Sequence, residues 1–129
     1  KLSLNELMQY IQASSNVNKE LIMHYANEMK LDIAANLNKS FFKLSGGMKQ
    51  KMLIAISLAK KSNIIIYDEP TANLDPKARD DFYRLLKQNE DDKILLFVTH
   101  RLDEVKDIVN RQVYMDLGKI ISDEKVKEK

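Results

Sequence analysis

The chain has 129 residues, of which 21 are basic and 19 acidic, giving a net charge of +2. That length is enough for one domain with a core that buries roughly two thirds of the surface of its unfolded chain. Near-balanced charge gives no general case for nucleic acid or a lipid surface as partner, the absence of cysteine excludes disulfides and thiolate metal sites, and two histidines alone make no zinc site.

From the start to about Ser40 the pattern is helical and rich in polar residues. Leu4, Leu7, Met8 and Ile11 recur at helical spacing. A second helix is expected after Asn18, with Leu21, Ile22, Tyr25, Ala26 and Met29 as its buried stripe. His24 has no accompanying motif and reads as a surface residue. Neither Gly nor Pro occurs before Gly46, so residues 1–45 read as a compact helical unit that leads into a second part, 46–129.

At Gly46 the character changes. Ser45 can cap a helix whose first turn holds Gly47 and Met48, and the segment from Met48 to Lys61 has apolar residues on most sides, as a buried helix does. Its longest apolar stretch, Met52 to Ala59, is broken by Ser57 and falls far short of the roughly 20 residues of a membrane span. Lys60 and Lys61 suit the negative end of the helix dipole, but Lys49 and Lys51 stand at its positive end. Something anionic is expected to offset them. Backbone N–H groups at Gly46 and Gly47, unscreened by side chains, make this helix start a seat for phosphate.

Ile64 to Tyr67 is a short β-branched run, expected to be a strand covered on both faces in a parallel sheet. It ends in Asp68-Glu69-Pro70, and ligands gather at the carboxyl ends of such strands. Adjacent carboxylates there suggest a metal ligand beside a general base, and because strand side chains alternate faces the two are not expected to do the same job. Asp75-Pro76 opens the next helix with a cap and an N1 proline, and Ala78, Phe82, Leu85 and Leu86 form its inner face. Lys93 to Val98 reads as a second buried strand joined to the first by a right-handed parallel crossover. Thr99-His100 follows it, which puts His100 at the same sheet edge as Asp68 and Glu69. A helix around Leu102 to Val109 comes next, then a hairpin made of Gln112 to Leu117, Gly118-Lys119 and Ile120 to Ser122. The tail from Asp123 is expected to be frayed. The fold class is therefore α/β: a helical subdomain, then part of a parallel sheet with flanking helices and a terminal β-hairpin.

In order and spacing, these segments resemble the ATP-binding subunits of ABC transporters. LSGGMKQK, from Leu44 to Lys51, is similar to the family signature, and Ile64 to Glu69 to its Walker B strand. Ala72-Asn73-Leu74-Asp75 is similar to the D-loop and His100 to the switch histidine, while the front helices resemble the helical subdomain. Met48, Lys51 and Tyr67 depart mildly from the commonest residues of these motifs. The resemblance implies a P-loop-type sheet, ATP and Mg²⁺ as cofactors, Asp68 holding Mg²⁺ through water, Glu69 polarising the attacking water and His100 contacting the γ-phosphate. It implies that Ser45, Gly46 and Gly47 serve a nucleotide on a second ATP-binding subunit, in a homo- or heterodimer closed head to tail. Asp75 would help couple the two sites. A transmembrane permease as partner, no nucleic acid, and a cytoplasmic place at the inner face of the membrane follow from the same likeness.

No G-x-x-x-x-G-K-[ST] loop lies between Lys1 and Lys129. That loop and its Lys hold the β- and γ-phosphates in P-loop enzymes. Because the chain opens on Lys1 rather than Met, the expectation is that it begins within a longer protein and is inactive by itself, with neither tight ATP binding nor hydrolysis. Two other readings stay open: a naturally truncated module that only donates its signature face to a partner, and an ABC ATPase outside transport. The transporter-type stretch from Asp68 to Asp75, and a front too short for a long coiled coil, favour transport.

Overall fold

The computed structural model describes residues 1–89 and 92–126. Two units divide the chain, Lys1–Val98 and Thr99–Lys129. In the first, Ser3 starts α1 (Leu4–Ser15) with a capping box: its side chain accepts from Glu6 N–H while the Glu6 carboxylate takes the Ser3 N–H. Asn16, in the left-handed region at φ 55°, ends that helix. Asn18 then caps α2 (Lys19–Glu28) by accepting from Glu20 and Leu21 N–H. A short α3 (Ile33–Asn36) and a 3₁₀ turn (Phe41–Lys43) lead to α4 (Gly46–Lys60). The front is thus helical, as expected, and α2 packs on α4.

After α4 the chain runs through β1 (Ile64–Asp68), α5 (Pro76–Gln88) and β2 (Ile94–Val98), with β1 and β2 parallel in the register Ile64↔Ile94 to Asp68↔Val98. One core joins these elements. Leu4, Met8, Ile22 and Met29 from the front share it with Met52, Ile54, Leu58, Ile65, Tyr67, Phe82 and Leu85. Phe82 of α5 meets the Tyr67 ring edge-on at 5.3 Å, and Phe97 of β2 stacks on it at 5.4 Å.

The sheet corrects one expectation. Only one of its faces is covered: Ile65 and Tyr67 are buried, whereas Ile64, Ile66, Ile94, Leu96 and Val98, all on the opposite face, are each more than half exposed. A continuous apolar run reads the same whether one or both faces of a strand are packed, so the sequence could not separate the two cases.

The second unit holds α6 (Leu102–Val105), one turn where a longer helix was expected, and the antiparallel pair β3 (Arg111–Asp116) and β4 (Lys119–Lys125). Leu117 at φ 50° and Gly118 at φ 76° form the two-residue turn between them, the geometry that matches the twist of the flanking strands. β4 reaches three residues beyond the expected hairpin, so Asp123, Glu124 and Lys125 are paired rather than frayed. Asp123 takes two hydrogen bonds from Arg111, at 2.8 and 2.6 Å, which anchor that end of the pair. The last part of the expected tail, 127–129, lies outside the described residues. Among the described residues no helix is long and apolar enough to cross a membrane.

Candidate functional site

The first half of the site is the start of α4. Ser45 has extended backbone, and its Oγ accepts the Met48 N–H at 3.1 Å while its carbonyl accepts the Lys49 N–H at 2.9 Å. A hydroxyl carries one donor and two acceptor positions, so this cap leaves the Ser45 O–H able to donate. The N–H groups of Gly46 and Gly47 have no acceptor inside the helix by their position in its first turn. Together these form a short row of donors at a positive helix end.

The two glycines differ in what confines them. A Cβ at Gly46 would meet the Asn73 side chain at 3.6 Å, an ordinary contact. A Cβ at Gly47 would lie 3.1 Å from the Asn73 carbonyl oxygen, a tight approach that a side chain could take only if this backbone moved by a few tenths of an ångström. Lys49, expected to need an anion, lies with its Nζ 6.0 Å over the exposed Phe42 ring, whose face offers partial negative charge.

The second half is the turn after β1. Asp68 is the last residue of the strand, opposite Val98, and is exposed on the bare face of the sheet. Glu69 is half-buried, and its backbone lies in the left-handed region at φ 47°. For an L-residue other than Asn or Asp that conformation costs about 1–2 kcal/mol, and it persists only where neighbours enforce it. Three hydrogen bonds do so. Glu69 N–H donates to the Val98 carbonyl at 2.8 Å, Ala72 N–H to the Glu69 carbonyl at 3.3 Å, and the Gln50 side-chain amide of α4 to the Pro70 carbonyl at 2.8 Å. Asp68 thus continues the strand while the backbone of Glu69 is turned out of it.

Tyr67, just before the carboxylates, is locked from below. Its hydroxyl and Ser57 Oγ are 2.8 Å apart, and Ser57 Oγ also donates to the Ile54 carbonyl. Burial pushes the Tyr67 phenol above its ordinary value of 10, an effect that the Ser57 hydrogen bond offsets in part. Asp75 behaves as expected at the start of α5, its carboxylate accepting the Ala78 N–H at 2.8 Å. That commits one oxygen to the cap; the side chain is otherwise exposed.

In the first unit, then, the fold brings Gly46 and Gly47 against Asn73, and Gln50 of the same helix against Pro70, the residue after Glu69. His100 is exposed in the second unit, two residues beyond the end of β2. Among the described residues no three of His, Cys, Asp and Glu cluster as a metal cage. Sequence reasoning missed Gln50. Its signals are its place inside the signature-like segment Leu44–Lys51 and its position three residues after Gly47 and four after Gly46, on the same face of a helix.

Comparison with known proteins accords with this geometry. The family model described as ABC transporter matches residues 3–72. The energy-coupling factor transporter ATP-binding protein EcfA2 of Mycoplasmoides gallisepticum is 40% identical over 104 residues, covering 80% of this chain and 32% of that protein. EcfA2 of Staphylococcus aureus is 32% identical over 117 residues, covering 87% of this chain and 41% of that protein. The chain thus spans about a third to two fifths of the length of these curated relatives. Among solved structures, a dimeric bacterial ABC transporter cassette superposes with a TM-score of 0.82 at 26% identity, over 98% of this chain and 58% of that one. A dimeric cassette in a post-hydrolysis state bound to ADP and Pi gives 0.74 at 29% identity, over 85% of this chain and 47% of that one.

Proposed function

This chain belongs to the ABC transporter family, and from that premise we propose that it is the signature-bearing part of an ATP-binding, ATP-hydrolysing subunit that powers transport of a solute across a membrane. The observation that carries the reading is the packing of a glycine helix start against the turn that holds a twisted-out carboxylate. In this reading the helix start that donates to a partner's nucleotide and the carboxylate that acts on the attacking water are packed against each other.

In this reading Glu69 accepts a hydrogen bond from the attacking water and polarises it toward the γ-phosphate. Ser45 O–H and the N–H groups of Gly46 and Gly47 donate to the phosphates of a nucleotide held by a second ATP-binding subunit. His100 hydrogen-bonds the γ-phosphate oxygen, and Asp75 faces the other subunit across the interface. Mg²⁺ usually keeps several waters and takes one or two carboxylates together with substrate phosphates, so the single exposed Asp68 suits it as a ligand. When bound, the ion supplies charge neutralisation at the phosphate oxygens. The helical front, 1–45, would meet the permease, which places the subunit at the cytoplasmic face of the membrane. The dimeric cassettes among its structural likenesses support a partner ATPase, and the names of the relatives support a transport role.

The 129-residue polypeptide by itself lacks a P-loop sequence and is expected neither to bind ATP tightly nor to hydrolyse it. The test uses the intact subunit reconstituted with its partner. Glu69→Gln should lower kcat by at least about 100-fold, the scale of a lost general base, while ATP binding persists. A Glu69→Gln protein that keeps the parent rate would remove Glu69 from the reaction.

A further inference from the structure

Pro70 has no N–H, so its carbonyl is the one backbone polar group it offers. Pro70 is buried, and a buried carbonyl needs a donor. The Gln50 amide supplies it at 2.8 Å from the second turn of α4, twenty residues earlier in the chain. Gln50 shares a helix face with Gly46 and Gly47, and the backbone that follows Pro70 returns along this face, since the Asn73 carbonyl stands 3.1 Å from a Cβ at Gly47. The Gln50 side chain is therefore a direct tie between the helix that presents the phosphate seat and the residue that follows Glu69.

That tie bears on Glu69 because of proline's stiffness. The ring of Pro70 fixes its φ near −65°. A displacement of its carbonyl must then be absorbed by ψ of Pro70 and by the dihedrals of Glu69, which already sits at φ 47°. Two further backbone hydrogen bonds brace this turn, one to the Val98 carbonyl of β2 and one, from Ala72 N–H to the Glu69 carbonyl, local and long at 3.3 Å. Neither reaches α4.

Resting on the reading of Glu69 given above, we infer that Gln50 is a positioning residue for Glu69. By holding the Pro70 carbonyl, Gln50 fixes the turn that aims the Glu69 carboxylate and carries small movements of the Ser45–Gly47 helix start to it. The Gln50 amide thereby links occupancy of the phosphate seat to alignment of the base.

The experiment measures ATP hydrolysis and urea unfolding of the intact subunit with its partner, for the parent, Glu69→Gln, Gln50→Met and Gln50→His. Gln50→Met keeps length and removes the donor, and Gln50→His restores an N–H at similar reach; Gln50→Glu replaces Gln50→Met if that variant fails to fold. The expected result is a kcat lower by about 5-fold in Gln50→Met, equivalent to about 1 kcal/mol at 1.36 kcal/mol per tenfold. KM for ATP should stay near the parent value, the unfolding midpoint should fall because the buried Pro70 carbonyl loses its donor, and Gln50→His should recover most of the rate and of the midpoint. A loss confined to kcat marks an interaction used in the transition state rather than in binding. The inference is overturned if Gln50→Met hydrolyses at the parent rate, if KM rises in step with the fall in kcat, or if Gln50→His does no better than Gln50→Met. Glu69→Gln separates the two claims. If it abolishes hydrolysis while Gln50→Met leaves it unchanged, only the role of Gln50 fails; if Glu69→Gln keeps the parent rate, both fail.

Discussion

The left-handed backbone of Glu69 should be measurable as stored strain, through a comparison of Glu69→Ala with Glu69→Gly. Both substitutions delete the carboxylate and whatever it contacts, so side-chain effects cancel between them. Alanine must still adopt φ near 47°, at about 1–2 kcal/mol, whereas glycine takes that conformation at no steric cost. Against this, glycine gives the unfolded chain more freedom and loses about 0.4–1 kcal/mol on that account. The difference leaves Glu69→Gly the more stable by about 0.5–1 kcal/mol. With a urea slope of about 2 kcal/mol/M, that is a midpoint higher by about 0.3–0.5 M. The assay is urea unfolding of the nucleotide-free intact subunit followed by circular dichroism, with the slope compared between variants. A Glu69→Gly midpoint equal to or below that of Glu69→Ala would show that the turn does not hold position 69 under strain, and the account of why Glu69 leaves the strand direction would fall.

Gly47→Ala should destabilise the folded chain by about 1–3 kcal/mol, the range for overpacking, because the Asn73 carbonyl stands 3.1 Å from the new methyl group. Gly46→Ala meets only an ordinary contact and should raise stability by about 0.4–1 kcal/mol through the unfolded chain, so any loss of hydrolysis in it reports crowding of a ligand or partner. Leu117→Asn should stabilise the β3–β4 turn by about 1 kcal/mol in thermal unfolding, since Asn tolerates the positive φ that Leu117 adopts. The Glu6 carboxyl is held below its ordinary value of 4.5, first by the Ser3 N–H and then by the Ser3 hydroxyl. Its contribution to α1 is therefore present above that value and lost as pH falls through the lower folded one, so amide exchange in the first turn of α1 should speed up only in that acid window, and Ser3→Ala should shrink the effect. The isolated 129-residue polypeptide should self-associate by light scattering, and Ile66→Lys with Leu96→Glu should reduce that. A monomer at micromolar concentration would show that the bare sheet face does not drive association.

Much of this was legible before any coordinates. The cap at Ser45, the helix behind it, the β-branched run into Asp68 and the Asp75-Pro76 helix start each follow from local chemistry, and local chemistry is what a sequence records directly. What stayed hidden depends on distant partners. No feature of Asp68-Glu69-Pro70 announces a positive φ at Glu69, because the hydrogen bonds that impose it come from Val98 and from Gln50. Gln50 itself reads as one more polar residue in a helix start. The extent of β4 was missed for a related reason: Asp123 looks like a solvated tail residue until Arg111 is placed beside it. Gly47 is an intermediate case. The sequence pointed to close approach at this glycine, and the fold adds that one of the approaching groups is the chain's own Asn73 carbonyl.

The carboxylate strand and the signature helix are joined at two points rather than one. Ser57 meets Tyr67, and Gln50 meets Pro70. On the helix those anchors are seven residues apart, two turns along one face and about 10.5 Å. On the other side they bracket Asp68 and Glu69. A strand fixed to a helix at a single point could pivot; fixed at two points, β1 cannot change its angle to α4 without breaking a half-buried hydrogen bond, at about 0.5–1.5 kcal/mol each. A displacement of the helix start therefore reaches the carboxylates as a rigid movement, not as a local distortion that dies out within a turn. Loosening the anchors separately should discriminate between the two ends. Tyr67→Phe removes the anchor behind the carboxylates and should lower stability with little effect on turnover, whereas loss of the Gln50 anchor, adjacent to Glu69, should lower turnover as well.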